Sequence, residues 1–139
     1  MLFRKVVFTG VLNFGNKTYI NSGSIGIAIN DAGNAQCLIL EDFVEGGLVK
    51  WKATPIKVPY DNMQVVEDIY KSGLLDYGKW FVNHNIHTLT TGEDLIVEFN
   101  ILVHKLSEET GVPHVWPHIE EKFYEQATRA LKIPDYRRK

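Results

Sequence analysis

The sequence predicts an α+β fold: a small antiparallel β-barrel or curled sheet packed against about three C-terminal helices. Three observations carry that reading. The pattern of the chain changes near residue 65, with most glycines and the alternating or β-branched apolar runs before it and helical spacing after it. No repeat and no flexible linker separates the two regions, so 1–65 and 66–139 form one compact unit. With 139 residues, 45% of them hydrophobic and 23% charged, the chain can bury a core and is not a disordered segment.

The first region is read as strands joined by turns. Arg4 to Phe14 (RKVVFTGVLNF) is rich in Val and Phe, Gly15-Asn16-Lys17 is a turn, and Thr18-Tyr19-Ile20 resumes the extended pattern. In Ser24–Asn30, Ile25, Ile27 and Ile29 fall on one face at period two. Asp31-Ala32-Gly33-Asn34 reads as a hairpin turn into Ala35–Leu40. An acidic loop, EDFVEGG, follows, then Leu48–Val58. Pro55 and Pro59 place that last run at an edge or in a bent strand.

The second region is read as helices. Val65, Val66, Ile69, Tyr70 and Leu74 give Met63–Tyr77 an amphipathic stripe, ending near Gly73 or Gly78. Lys79–Leu89 (KWFVNHNIHTL) fits either a helix end or a strand. Thr90 or Thr91 then caps a helix with Leu95, Phe99, Leu102 and Leu106 on one stripe, flanked by Ile96, Ile101 and Val103. A helix apolar over more than one face predicts self-association, a homodimer. Gly111 and Pro113 stop it. Pro117 opens a last helix over His118–Leu131, and Pro134 ends that helix before a basic tail, DYRRK.

From Ile20 to Glu67 the chain resembles an SH3-like barrel of the KOW/Tudor type. The shared features are the Ser22-Gly23-Ser24-Ile25-Gly26-Ile27 step into a strand, the short Asp31–Asn34 hairpin, a third strand ending in acids, and the closing VPYDNMQVVE. The resemblance covers about a third of the chain. It implies a module that binds proteins, peptides or nucleic acids and is seldom catalytic. The basic residues and aromatic cage of particular members are not clearly present.

Charge and cysteine usage narrow the function. Residues 1–65 hold six Lys/Arg against five Asp/Glu, residues 66–139 nine against twelve, and the whole chain carries −2. That balance disfavours generic nucleic-acid binding. Cys37, the only cysteine, excludes an internal disulfide framework and a cysteine-based zinc site; in AQCLIL it reads as a core residue. The start shows no signal-peptide pattern, and no window approaches the roughly 18 apolar residues of a membrane span. A cytoplasmic location is expected.

Catalytic motifs are weak. Gly10, Gly15, Lys17 and Thr18 imitate a phosphate loop, but Asn16 displaces the lysine and a strand, not a helix, follows. The Gly23–Gly26 pair imitates an RNA-clamping loop but enters a strand. No serine sits in a nucleophile elbow. The histidines are the best catalytic case: His84, His87, His104, His114 and His118 all lie in the second region, two pairs at spacings that can share a metal on a helix. Pro117 keeps His114 and His118 out of one regular helix, and no HExxH pattern occurs. Surface or structurally bonded histidines are the expectation, with no metal ligand set and no cofactor.

The aromatic residues speak more for binding. Trp51, Trp80 and Trp116, with Tyr60, Tyr77, Phe81 and Tyr136, fall in or beside loops and element ends. There they either plug the junction between the two regions or form an interface or ligand-stacking surface. The expected function is that of a non-catalytic binding or adaptor protein docking a macromolecule, a protein first of all, as an accessory factor of a phage or bacterium would. Phe43, Glu45, Lys50, Trp51 and Lys52 are its expected contact residues. A histidine-centred metal-dependent hydrolase, or a small-ligand or nucleotide binder using aromatic stacking, is the alternative.

Overall fold

Two antiparallel hairpins precede four helices in the computed structural model, which describes residues 10–15, 17–111 and 118–137. Strand β1 (Gly10–Phe14) pairs with β2 (Lys17–Asn21), and β3 (Asn34–Glu45) pairs with β4 (Leu48–Pro59). The helices are α1 (Asn62–Lys71), α2 (Leu74–Thr91), α3 (Ile96–Glu109) and α4 (Glu121–Ala130). Among the described residues no helix is long and apolar enough to cross a membrane. His114, Trp116, Arg138, Lys139 and the first part of the Arg4–Phe14 run lie outside the described residues.

The α+β class is as the sequence predicts, but the described strands close no barrel. They form two separate two-stranded ladders. The strand expected over Ser24–Asn30 is missing from both. Ser24 Oγ accepts the Ile27 N–H at 3.1 Å and bends the backbone there, an alternative that serine offers against a ladder. Ala28 and Ile29 turn inward while Ile25 faces solvent, so the period-two pattern is not realised. The turn at Asp31–Asn34 does form, with Asn34 N–H donating to the Asp31 carbonyl at 3.1 Å. Lys57 and then Gln36, both donating to the Asp31 carboxylate, hold that acid below its ordinary pKa.

The second hairpin is longer than the sequence reading allowed. Glu41–Glu45, expected in an acidic loop, continue β3, and Gly46-Gly47 make the turn with φ of 60° and 77°. Two consecutive positive φ values are what a two-residue hairpin loop of the primed type needs, and glycine adopts them without strain. Pro55 and Pro59 sit in β4, beside which no third described strand pairs, consistent with the expected edge position.

The helices pack as two pairs, α1 with α2 and α3 with α4. Asp61 caps α1 by accepting the Gln64 N–H at 2.9 Å. The helix expected over Met63–Tyr77 breaks at Gly73, where φ is 72°. The ambiguous Lys79–Leu89 belongs to α2, so there are four helices rather than about three. One side of α2 presents Leu75, Val82, Ile86 and Leu89 to Val66 of α1, with Ile27, Tyr60 and Tyr70 around them. On another side Trp80 joins Phe99 and Val103 of α3, Ile119, and Phe123 and Ala127 of α4. Helix α3 buries the line Phe99, Val103, Ser107 and leaves Val97 and Ile101 as exposed apolar residues.

The C-terminal segment closes the assembly. Asn83, 0% exposed, donates from Nδ2 to the Pro134 carbonyl at 3.0 Å and accepts the Tyr136 N–H on Oδ1 at 2.7 Å. The two partners fix the amide's orientation, since one only accepts and the other only donates. Tyr70 Oη donates to the Tyr136 carbonyl at 3.0 Å, and the Arg137 guanidinium lies 3.5 Å from the Trp80 ring centroid. The described part of the basic tail, at Tyr136 and Arg137, is therefore held against α2. Asn83→Ala removes both bonds at a fully buried position and leaves the Pro134 carbonyl and the Tyr136 N–H without their Asn83 partner. Its unfolding free energy in urea should fall by about 2–4 kcal/mol, with an unchanged m-value.

Candidate functional site

The register of β3–β4 divides the five expected contact residues between two faces, because directly paired residues share a face. Trp51 pairs with Asp42, Val44 with Val49 and Leu40 with Ala53, giving an almost wholly apolar face. Phe43 opposite Lys50, Glu41 opposite Lys52 and Glu45 opposite Leu48 make the other face, which is mixed in charge. Glu45 and Lys50 form an ion pair on it. Trp51 is 63% exposed, and Leu40, Val44 and Val49 are exposed beside it. Cys37, nearer the hairpin's base, is only partly buried.

The base of the hairpin is tied to the end of α2. Asn30 N–H donates to the Gly92 carbonyl at 2.7 Å, and Asn62 Nδ2 to the Leu89 carbonyl at 2.7 Å. Gly92 has φ of 77°, and a Cβ there would stand 3.1 Å from the Asp31 nitrogen, so backbone approaches backbone at this junction. Tyr60 Oη adds a bond to the Gly26 carbonyl at 2.7 Å. Among the described residues, the outer half of the hairpin has no comparable support.

The described histidines do not converge on a metal. His104 on α3 and His118 before α4 are exposed. His84 and His87 are one turn apart on α2 and both buried, yet they have different surroundings. His87 Nε2 lies 3.2 Å from Glu93 Oε2, and Nδ1 lies 3.4 Å from Tyr136 Oη. His84 packs on Phe99 with ring centroids 3.9 Å apart, and its Nε2 has no hydrogen-bond partner among the described residues. Among those residues no group of three or more His, Cys, Asp or Glu could hold a metal ion.

A second feature escaped the sequence reading. Inside α2, Lys79 has φ 44° and ψ −123°, a kink in an otherwise helical stretch. Such a conformation costs a residue with a side chain about 1–3 kcal/mol. Gly78 permits the bend: a Cβ there would lie 2.1 Å from Val82 Cγ2. Beside the kink a cleft of about 690 Å³ opens, lined by Tyr77, Trp80, Phe81, Ile119 and Tyr124. Tyr77 is 93% exposed and Phe81 60%, whereas Trp80 is 5% exposed. Glu121 spans the cleft's charged edge, 3.6 Å from Lys79 Nζ and 3.1 Å from Arg137 Nη1. The Gly-Lys pair at 78–79 was the available sequence signal, and it reads equally well as a helix end.

Burial, and secondarily the neighbouring His87, push His84 down to about 4. The folded state thus holds this imidazole neutral, while an unfolded chain takes up the proton at about 6.5. Stability from this site is full above about 6.5, falls as pH drops through that range, and is lost by about pH 4. The total is on the order of 3 kcal/mol. His84→Leu should flatten that acid limb in urea titrations taken across the same pH range, because it removes the titrating group.

The chain matches no protein-family model, no curated protein and no solved structure, so the arrangement of its own side chains speaks to function.

Proposed function

We propose that this chain is a non-catalytic binding protein that docks a protein partner on the outer half of the β3–β4 hairpin. The observation that carries this is the exposed apolar face of Leu40, Val44, Val49 and Trp51, interrupted only by Asp42, on a ladder with no third described strand. A two-stranded hairpin standing in water is marginal by itself, and contiguous exposed apolar surface of this kind favours protein contact. Trp51 has the size and position of an anchor residue.

The charges define the partner. Glu41, Asp42 and Glu45 stand against Lys50 and Lys52, with Glu41 opposite Lys52 and Glu45 paired to Lys50. Because the hairpin nearly neutralises its own charge, a polyanion gains little there, and affinity for DNA or RNA should be weak at physiological salt. The complementary ligand is an extended, uncharged, apolar segment of another protein. It adds backbone hydrogen bonds at an open strand edge and lays alternate side chains over Trp51.

Selection of random displayed peptides on the purified chain tests this. Enriched peptides should be extended and apolar, should shift NMR signals of residues 40–53, and should bind at least about tenfold more weakly to Trp51→Ala. That variant should retain the wild-type fold by circular dichroism, since Trp51 is mostly solvent-facing. Peptides that map elsewhere, binding indifferent to Trp51→Ala, or salt-sensitive sub-micromolar nucleic-acid binding would each overturn the reading. So would light scattering that finds a species of twice 15.9 kDa dissociated by Trp51→Ala, which would assign the face to a second copy.

A further inference from the structure

The two edges of the β3–β4 hairpin are not equivalent. Gln36 N–H donates to the Ser24 carbonyl at 2.9 Å, away from its ladder partner Lys57. In an antiparallel ladder, residues whose backbone groups turn outward alternate with residues bonded across. The register runs unbroken from Asn34↔Pro59 to Glu45↔Leu48. Leu38, Leu40, Asp42 and Val44 therefore turn their N–H and carbonyl groups to the free edge of β3. Pro55, Ala53, Trp51 and Val49, directly opposite, face the free edge of β4. The prolines agree with that phase: Pro55 and Pro59 both fall at outward positions, where a missing N–H takes no bond from the ladder.

Proline and lysine are the residues that keep a sheet edge from pairing. Strand β4 carries Pro55 and Pro59 with Lys50, Lys52 and Lys57, whereas β3 carries neither residue type. Ser24 takes the base of the β3 edge, and among the described residues no strand pairs with the rest of it. A second copy fits that edge badly. Glu41, Asp42 and Glu45 have no basic residue among them on β3, so two β3 strands side by side would bring acids against acids.

We propose, on the footing that the hairpin is the docking site, that the partner protein's segment adds as a third strand along β3 and leaves the β4 edge unpaired. It bonds the outward N–H and carbonyl groups of Leu38, Leu40, Asp42 and Val44. Partner residues directly opposite Leu40, Asp42 and Val44 share the face of Trp51, so backbone pairing and apolar contact are made together. The acids of β3 favour a segment that carries no acidic residue.

Amide hydrogen exchange of the full chain tests this, with and without the most enriched displayed peptide made as a free molecule. At saturating peptide the amides of Leu40, Asp42 and Val44 should exchange at least about tenfold more slowly, and those of Val49, Trp51 and Ala53 should change by less than about twofold. Asp42→Pro removes one outward N–H and spares the ladder bonds, while Asp42→Ala removes the same carboxylate and keeps that N–H. The proline variant should bind the peptide about tenfold more weakly than the alanine variant, the ratio one hydrogen bond supplies. Should Asp42→Pro fail to fold, the exchange pattern of the unsubstituted chain decides. Slowed exchange at Val49, Trp51 and Ala53 instead, slowed exchange on neither edge, or equal affinity of the two variants would overturn the β3 assignment; binding that still depends on Trp51 would then leave the hairpin reading standing. Binding indifferent to Trp51→Ala, or no enriched peptide, would overturn both.

Discussion

The structure depends on Asn83 gripping the backbone of the C-terminal segment. A fully buried amide is costly unless both its ends are satisfied. Here one end takes the Pro134 carbonyl and the other the Tyr136 N–H. The same contacts satisfy two backbone groups that lie outside any helix or strand and have no ladder partner of their own. Tyr136 then spreads the constraint. Its carbonyl accepts from Tyr70 on α1, and its hydroxyl stands 3.4 Å from both His87 Nδ1 and Thr90 Oγ1 on α2. One tripeptide therefore joins α1 and α2 to the C-terminal segment.

From that grip the cleft's charged edge takes its position. The Arg137 guanidinium follows directly after Tyr136 and lies over Trp80, one turn before Asn83 on α2. It also reaches Glu121 of α4, so the floor and charged edge of the cleft are held through the C-terminal segment. At the opposite end of α2, the carbonyls of Leu89 and Gly92 receive Asn62 and Asn30, which anchor the base of the β3–β4 hairpin. Among the described residues, the hairpin's outer half rests on its own ladder and turn. A rigid helical body thus presents a cleft along one helix and a less supported apolar hairpin from that helix's end.

Much of the architecture was legible because it is local. The turn at Gly15, the edge character imposed by Pro55 and Pro59, and the last helix each follow from short-range periodicity or turn chemistry. What was not legible is long-range or ambiguous in kind. Glu45-Gly46-Gly47-Leu48 lies between apolar runs and is a hairpin signal, but the acids before it read as loop. Ser24 competes for its own backbone, which an alternating isoleucine pattern does not reveal. In KWFVNHNIHTL the buried polar residues Asn83, His84 and His87 blur the helical stripe, since they face inward for hydrogen bonding and packing and not to water. The anchoring of Pro134 and Tyr136 was not legible because their partner Asn83 is 51 and 53 residues away. The kink at Lys79 arises from Gly78 beneath Val82 and has no signature beyond one glycine.

Native-state hydrogen exchange at the Tyr136 amide tests the central claim most directly. Tyr136 is only partly buried and lies in no helix or strand, so only the Asn83 bond accounts for slow exchange there. Protection of that amide to a level near global unfolding, matching the buried middle of α2, is the predicted result. Exchange at the rate of an open chain end, while α2 stays protected, would contradict the account by showing that the C-terminal segment is not what holds the helices together.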